Sequence, residues 1–431
     1  LADTKTIGEA WRPGHPQFRE MEMSLGFRTT RRSFMGSVAA VAAIVGSPFV
    51  RPASAEDTFK IGILTDLTGS FSDLGGPGTG VAAQLAIDEV GGAVLGRKVE
   101  LLIGDHQQKA NVGLALAREW IERRDLKAFV DVMNSGIAIG VNKLAADYKR
   151  LAFFSAAATD KISEEACNEY GIAWNTDTYA QTNAVAASMI GKGLDSWFFI
   201  VADYEFGHAM QASMDQAVKK AGGKVLGAVR HPLGTLDFSS YVLQAQASGA
   251  KVIAIASGGH DTVNTVKQAQ EFGVSHRGQT VVALLPYLSD IHAVGLQTMQ
   301  GLRFIDPWYW DMDDQSRELG NRFFKKFNKM PTSVQASVYS STLQYLKAVE
   351  KLGSDDPGKV RKYFLETTLN DAFLRNGKLM PNGRMAHDVY LVEVKTPKES
   401  KGDWDYEKVL ATVGADQAFR PLSESACKLR S

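Results

Sequence analysis

With 431 residues, 45% of them hydrophobic, the chain is long enough for two ordinary domains and apolar enough to give each a core. Its 48 Lys and Arg balance 48 Asp and Glu, so the formal net charge is zero and nothing electrostatic points to nucleic acid. Two cysteines are too few for a disulfide-rich scaffold and stand too far apart in sequence to suggest a metal site.

The first stretch with a clear message is Thr30-Arg31-Arg32-Ser33-Phe34-Met35, a paired-arginine signal of the twin-arginine type. The apolar run Gly36 to Val50 follows, about 15 residues against the roughly 20 that a membrane span needs. Ala53-Ser54-Ala55 then reads as a cleavage site. The expectation is an export signal removed after Ala55. That leaves 41 basic and 44 acidic residues, a net charge of −3. Residues 1 to 20 precede Met21 and Met23 and are set aside as an extension.

The stretch FKIGILTDLTGSFSDLGGPGTGVAAQLAIDEV, Phe59 to Val90, reads as a buried strand, a polar Gly-rich loop and a helix. In open α/β sheets ligands sit beyond the carboxyl ends of strands, so Thr65 to Asp73 is expected to wall a cleft. Strands follow at 98–104, 128–133, 151–156 and 172–175, with helices at 111–124 and 140–149 between them. The alternation restarts with a helix at 180–192 and strands at 196–202, 224–230, 252–256, 280–285 and 302–305. Helices at 208–221, 239–248, 262–272 and 290–299 separate them. Strict βαβα order predicts two doubly wound, parallel-sheet α/β lobes. Three long helical patterns, 315–329, 333–352 and 357–369, exceed what the second lobe needs. Residues 373–395 read as two strands about Pro381-Asn382-Gly383, and the tail has no clear period. In an oxidising compartment Cys167 and Cys427 are expected to be bridged, tying the tail to the body.

Seven segments in order carry a resemblance. They are the opening stretch, VMNSG at 132–136, FFSAAATD at 153–160, WNTDTYAQ at 174–181, ADYEFGHAM at 202–210, IASGGHD at 255–261 and FIDPWYWD at 304–311. Together they resemble the type I periplasmic substrate-binding proteins of ABC importers, in the branched-chain amino-acid (Leu/Ile/Val-binding) family. The resemblance covers about residues 58 to 395. It implies two α/β lobes joined by a three-crossing hinge, near 175–177, 305–308 and 377–385. The first lobe then combines 56–176 with 307–378, and the second 177–306 with 379–431. It further implies a periplasmic, monomeric solute carrier with a membrane permease as partner, no cofactor and no enzymatic activity.

Candidate ligand-binding residues follow from the same segments. Ser72 and Asp73 lie on the opening loop. Ser135 starts a helix, where a hydroxyl and free N–H groups suit an anion, although a plain cap needs the same residue type. Ala157 and Thr159 match the family segment that holds the ligand head group. Asp177 sits at the first crossing, where it faces the ligand or caps the next helix. Phe206 and Trp310 are aromatics at the cleft and hinge, suited to stacking or to walling an apolar tail.

One departure shifts the ligand class. Amino-acid binders of this family place an acid on the loop near Leu285, against the α-ammonium. Here that loop reads Leu284-Leu285-Pro286-Tyr287-Leu288, and Asp290 comes later. With Tyr287 at the site, the expected solute is a carboxylate, amide or aromatic acid, with an amino acid as the further alternative. The rival classes are a cofactor-dependent exported enzyme and a sensory adaptor. Gly75 to Gly80 lacks both the P-loop Lys and the dinucleotide fingerprint, and no nucleophile elbow or metal-ligand histidine spacing occurs.

Overall fold

The computed structural model describes residues 57–429, so the export-signal reading lies outside the described residues. The first part of the chain alternates strands and helices. In order it forms β1 (Phe59–Thr65), α1 (Gly76–Glu89), β2 (Ala93–Val94), β3 (Arg97–Asp105), α2 (Ala110–Arg124), β4 (Ala128–Val132), α3 (Ser135–Asp147), β5 (Leu151–Phe154) and β6 (Gly171–Ala173). These strands make one sheet in the order β2-β3-β1-β4-β5-β6, parallel except for the short β2.

The second part gives α4 (Thr178–Ile190), β7 (Ser196–Ala202), α5 (Glu205–Lys220), β8 (Lys224–His231), α6 (Ser239–Ala247), β9 (Val252–Ala256), α7 (His260–Glu271) and β10 (Thr280–Ala283). Its sheet is parallel, in the order β10-β9-β7-β8. Next come α8 (Leu288–Val294), α9 (Leu296–Met299), β11 (Arg303–Asp306), α10 (Asp314–Phe327), α11 (Ser333–Leu352) and α12 (Pro357–Glu366). The chain closes with β12 (Lys378–Leu379), β13 (Met385–Ala386), β14 (Val389–Val394), β15 (Glu407–Val413) and α13 (Ala415–Ala418).

The late helices pack on the first sheet. Phe59, Ile61, Val130, Phe153 and Trp174 share one core with Tyr339, Leu343, Tyr345, Leu346 and Phe364 of α11 and α12. The opposite face is closed by α2 and α3 through Trp120, Ile121, Ile137 and Val141. The four-stranded sheet has its own apolar faces, one around Trp197, Phe199, Met210 and Met214 and one around Phe238 and Val242.

The structure differs from the periodicity at two places. The helix expected over 290–299 breaks into two at Gly295, whose φ of +95° has no place in a helix. The tail contains β15, antiparallel to β14, which in turn pairs antiparallel with β11. Sheet building therefore ends in a small antiparallel sheet rather than a continued parallel one. The hairpin β12–β13 turns at Gly383, where φ is +85° and a Cβ would meet the Gly171 carbonyl oxygen at 2.6 Å.

A disulfide joins Cys167 to Cys427, 260 residues apart in sequence. Nearby, Arg384 reaches the carbonyl oxygens of Ala173 and Asn175 and pairs with Asp177 at 2.8 Å. Both side chains of that pair are 5% exposed. The third passage of the chain is thus bonded to the first. Among the described residues no helix is long and apolar enough to cross a membrane.

Candidate functional site

Strand order reverses twice in this molecule, between β1 and β4 and again between β7 and β9. Loops on either side of such a reversal diverge and leave a crevice at the carboxyl ends of the strands. Both crevices open onto one cavity. The first sheet supplies Phe71, Leu74, Met133, Asn134, Ser135, Ala156 and Ala158, and the second supplies Tyr204, Phe206, Gly258, Leu285 and Tyr287. The cavity measures about 30 Å³. Two water molecules fill such a space, so the two walls are drawn together.

Local hydrogen bonds fix each wall. The Asp66 carboxylate, buried at the end of β1, accepts the Gly69 and Phe71 N–H groups at 2.9 and 3.0 Å. That curl turns Phe71 and Leu74 inward. Gln108 donates to Asp66 at 2.8 Å and accepts from the Asn134 amide at 2.6 Å. Three side chains therefore lock the loops after β1, β3 and β4 together. Asn134 caps α3, accepting the Gly136 and Ile137 N–H groups, and takes φ +73°, a conformation that Asn tolerates better than most residues. Ser135 follows it into the first helical turn, 2% exposed and on the cavity wall. The positive end of the α3 dipole thus meets the cavity beside a hydroxyl.

Beneath Ala156 lies Asp131. Its Oδ1 accepts the Ser155 and Ala156 N–H groups, each at 3.0 Å, and its Oδ2 has no partner among the described residues. Burial pushes its carboxyl up to about 7. On the second wall, burial raises the Tyr204 and Tyr287 hydroxyls, so both stay protonated at neutral pH. Asp290 accepts the Tyr287 N–H at 3.1 Å and is itself pushed up to about 7 by burial. Among the described residues, none on the cavity wall carries a charged side chain.

Of the residues singled out in the sequence, the structure brings Ser135, Phe206 and Tyr287 to this wall. The others lie elsewhere. Ser72 makes a turn, donating its N–H to Gly69 O. Asp73 points outward to His260 Nε2 at 3.0 Å and Lys329 Nζ at 2.8 Å. Partial burial pushes its carboxyl up, but the Lys329 and His260 hydrogen bonds outweigh that and hold it below the usual range. Ala157 packs under α3. Thr159 donates to Glu205 and accepts from the Lys161 N–H. Asp177 caps α4 and pairs with Arg384. Trp310 donates its indole N–H to Trp404 O at 2.8 Å and rests over Gly320, away from the cavity.

Tyr204 and Gly258 belong to segments quoted above; Tyr204 is two residues from Phe206, and no residue of the Gly258 segment was singled out. Phe71 lies within Thr65 to Asp73, the stretch expected to wall a cleft, and Leu74 and Met133 lie in quoted segments, but none of the three was singled out. A larger hollow of about 460 Å³ runs along β10, at the edge of its sheet and beside α9. It lies off both reversal points, so the small cavity is the better candidate.

Comparison with known proteins bears on the family and the fold. The family described as periplasmic binding protein matches residues 58–403. A Leu/Ile/Val-binding protein homolog 6 of Brucella melitensis is 26% identical over 243 residues, 56% of this chain and 62% of that protein. The chain thus spans about 62% of the length of the curated relatives that it matches first. A crystal structure of a periplasmic binding protein from Burkholderia mallei is 41% identical, with TM-score 0.85, covering 87% of this chain and 100% of that one. A branched chain amino acid ABC transporter periplasmic ligand-binding protein from Burkholderia xenovorans is 44% identical, with TM-score 0.76 and the same coverage.

Proposed function

Since the chain belongs to the periplasmic binding protein family, whose members bind solutes and are not enzymes, we propose that it is the solute-binding subunit of an ABC importer. It captures a small carboxylate with an aromatic or amide body and passes it to a membrane permease. The observation that carries this reading is the cavity wall: three aromatic rings, Tyr204, Phe206 and Tyr287, opposite an uncharged helix start at Asn134 and Ser135, with Phe71 beside that helix start. The rings suit a flat apolar body, and the helix end with its hydroxyl suits a carboxylate.

Relatives named for leucine, isoleucine and valine favour a second reading, a branched-chain amino acid. Against it stands the chemistry of the ammonium group. A buried cation without a carboxylate is costly, and Leu285 and Tyr287 on the second wall supply none. Calorimetric titration of the purified chain with benzoate, benzamide and leucine separates the readings. Benzoate is expected to bind and leucine to bind at least about a hundredfold more weakly, roughly 2.7 kcal/mol. Leucine binding tighter than benzoate overturns the assignment.

The lobes in this reading are 56–176 with 307–378 and 177–306 with 379–431. A ring the size of benzoate exceeds the closed cavity, so entry needs hinge opening between them. The chain works as a monomer in the periplasm after cleavage at Ala55.

A further inference from the structure

Glu205 is the first residue of α5, between Tyr204 and Phe206 of the cavity wall. It belongs to the side of the four-stranded sheet, yet its carboxylate is bonded to the other side. Thr159 Oγ1 donates to Glu205 Oε1 at 3.2 Å. Lys161 Nζ lies 3.0 Å from Oε1 and 3.1 Å from Oε2. A Cβ placed on Gly136 would stand 3.7 Å from the Glu205 Cβ, so the acid abuts the first turn of α3, one residue from Ser135. A hydroxyl and an ammonium are groups that hold anions. Here the anion they hold is the protein's own.

We propose that Glu205 is a specificity-determining stand-in for the solute's head group. Its carboxylate occupies the anion corner formed by Thr159 and Lys161 and pins the two walls together. An entering carboxylate has to displace it, whereas a neutral head group gains nothing by doing so. This rests on the reading that the head group docks near Ser135, and the test keeps the two apart.

The first measurement needs no solute. Small-angle scattering of the whole purified chain at low salt is expected to show a larger radius of gyration for Glu205→Gln and for Lys161→Gln than for wild type. High salt is expected to expand the wild type toward the variants and to change the variants little. The second measurement is benzoate and benzamide binding. Glu205→Gln is expected to bind benzoate about tenfold more tightly, the worth of one competing charge-assisted hydrogen bond, and Lys161→Gln more weakly. Benzamide binding is expected to be the same in all three. A purely structural ion pair would move both variants in the same direction. Unchanged scattering of Glu205→Gln overturns the proposal, as does benzoate bound no tighter by Glu205→Gln than by wild type. If no form of the chain binds benzoate, the aromatic-acid reading fails and the scattering alone decides the role of Glu205.

Discussion

Ser135 and Asp131 show how much one residue decides here. Ser135→Ala removes a hydroxyl from the cavity wall and leaves α3 capped by Asn134. Benzoate affinity is expected to fall about tenfold with little change in melting temperature, since a lost hydrogen bond to a charged group is worth roughly 1.5–3 kcal/mol at most. Asp131 acts on stability instead. Burial lifts its carboxyl to about 7 in the folded chain, against an ordinary value of 3.8. Between those values the native state holds the extra proton, so this group's contribution to stability falls as pH rises from about 4 to about 7. Asp131→Asn keeps the Oδ1 acceptor and removes the titration. Melting curves are expected to place it above wild type at pH 8 and level with it near pH 4; a wild-type advantage at pH 8 refutes this. Ser135 was legible because strand ends in a doubly wound sheet converge; Phe206 and Tyr287 were picked out by the resemblance. The places of Asp73 and Trp310 were not legible. The outward turn of Asp73 depends on the Asp66 curl, and Trp310 follows a carbonyl of the unpatterned tail, neither of which a spacing reveals.

Loops and strands were read unevenly for a related reason. Buried parallel strands announce themselves as apolar runs, and β1, β4, β7 and β9 lie close to where the sequence put them. β15 did not, because four of its seven residues are exposed and it lies at the edge of its small sheet. One loop carries a mechanical prediction. Gly259, with φ +57°, precedes α7, and a Cβ there would stand 2.1 Å from the Ser70 carbonyl oxygen on the opposite wall. The same oxygen accepts the His260 N–H at 2.9 Å. Gly259→Ala should therefore wedge the walls apart. The expected outcome is a larger radius of gyration and benzoate affinity down more than about tenfold, with far-ultraviolet circular dichroism unchanged; a variant that binds like wild type shows that this contact is dispensable.

At the scale of the whole molecule, the passages between the lobes are held by a few buried bonds. Arg384→Met leaves the Asp177 carboxyl buried without its partner, and such losses cost about 3–5 kcal/mol. Urea unfolding is expected to show a fall of that size, while a double variant with Asp177→Leu should recover much of it. The surplus helices were visible in the sequence, but their place on the first sheet came from the resemblance and not from any periodicity. That placement has a consequence for how the chain is made. β1 to β6 leave the ribosome more than a hundred residues before α11, the helix that covers Phe59, Ile61, Phe153 and Trp174. During synthesis one face of the first sheet stays apolar and bare while the second sheet is still being assembled. Such an interval is where a nascent chain meets chaperones or aggregates. A fragment ending at Asp306 should therefore be insoluble when made alone, and co-expression of residues 307–431 should rescue it.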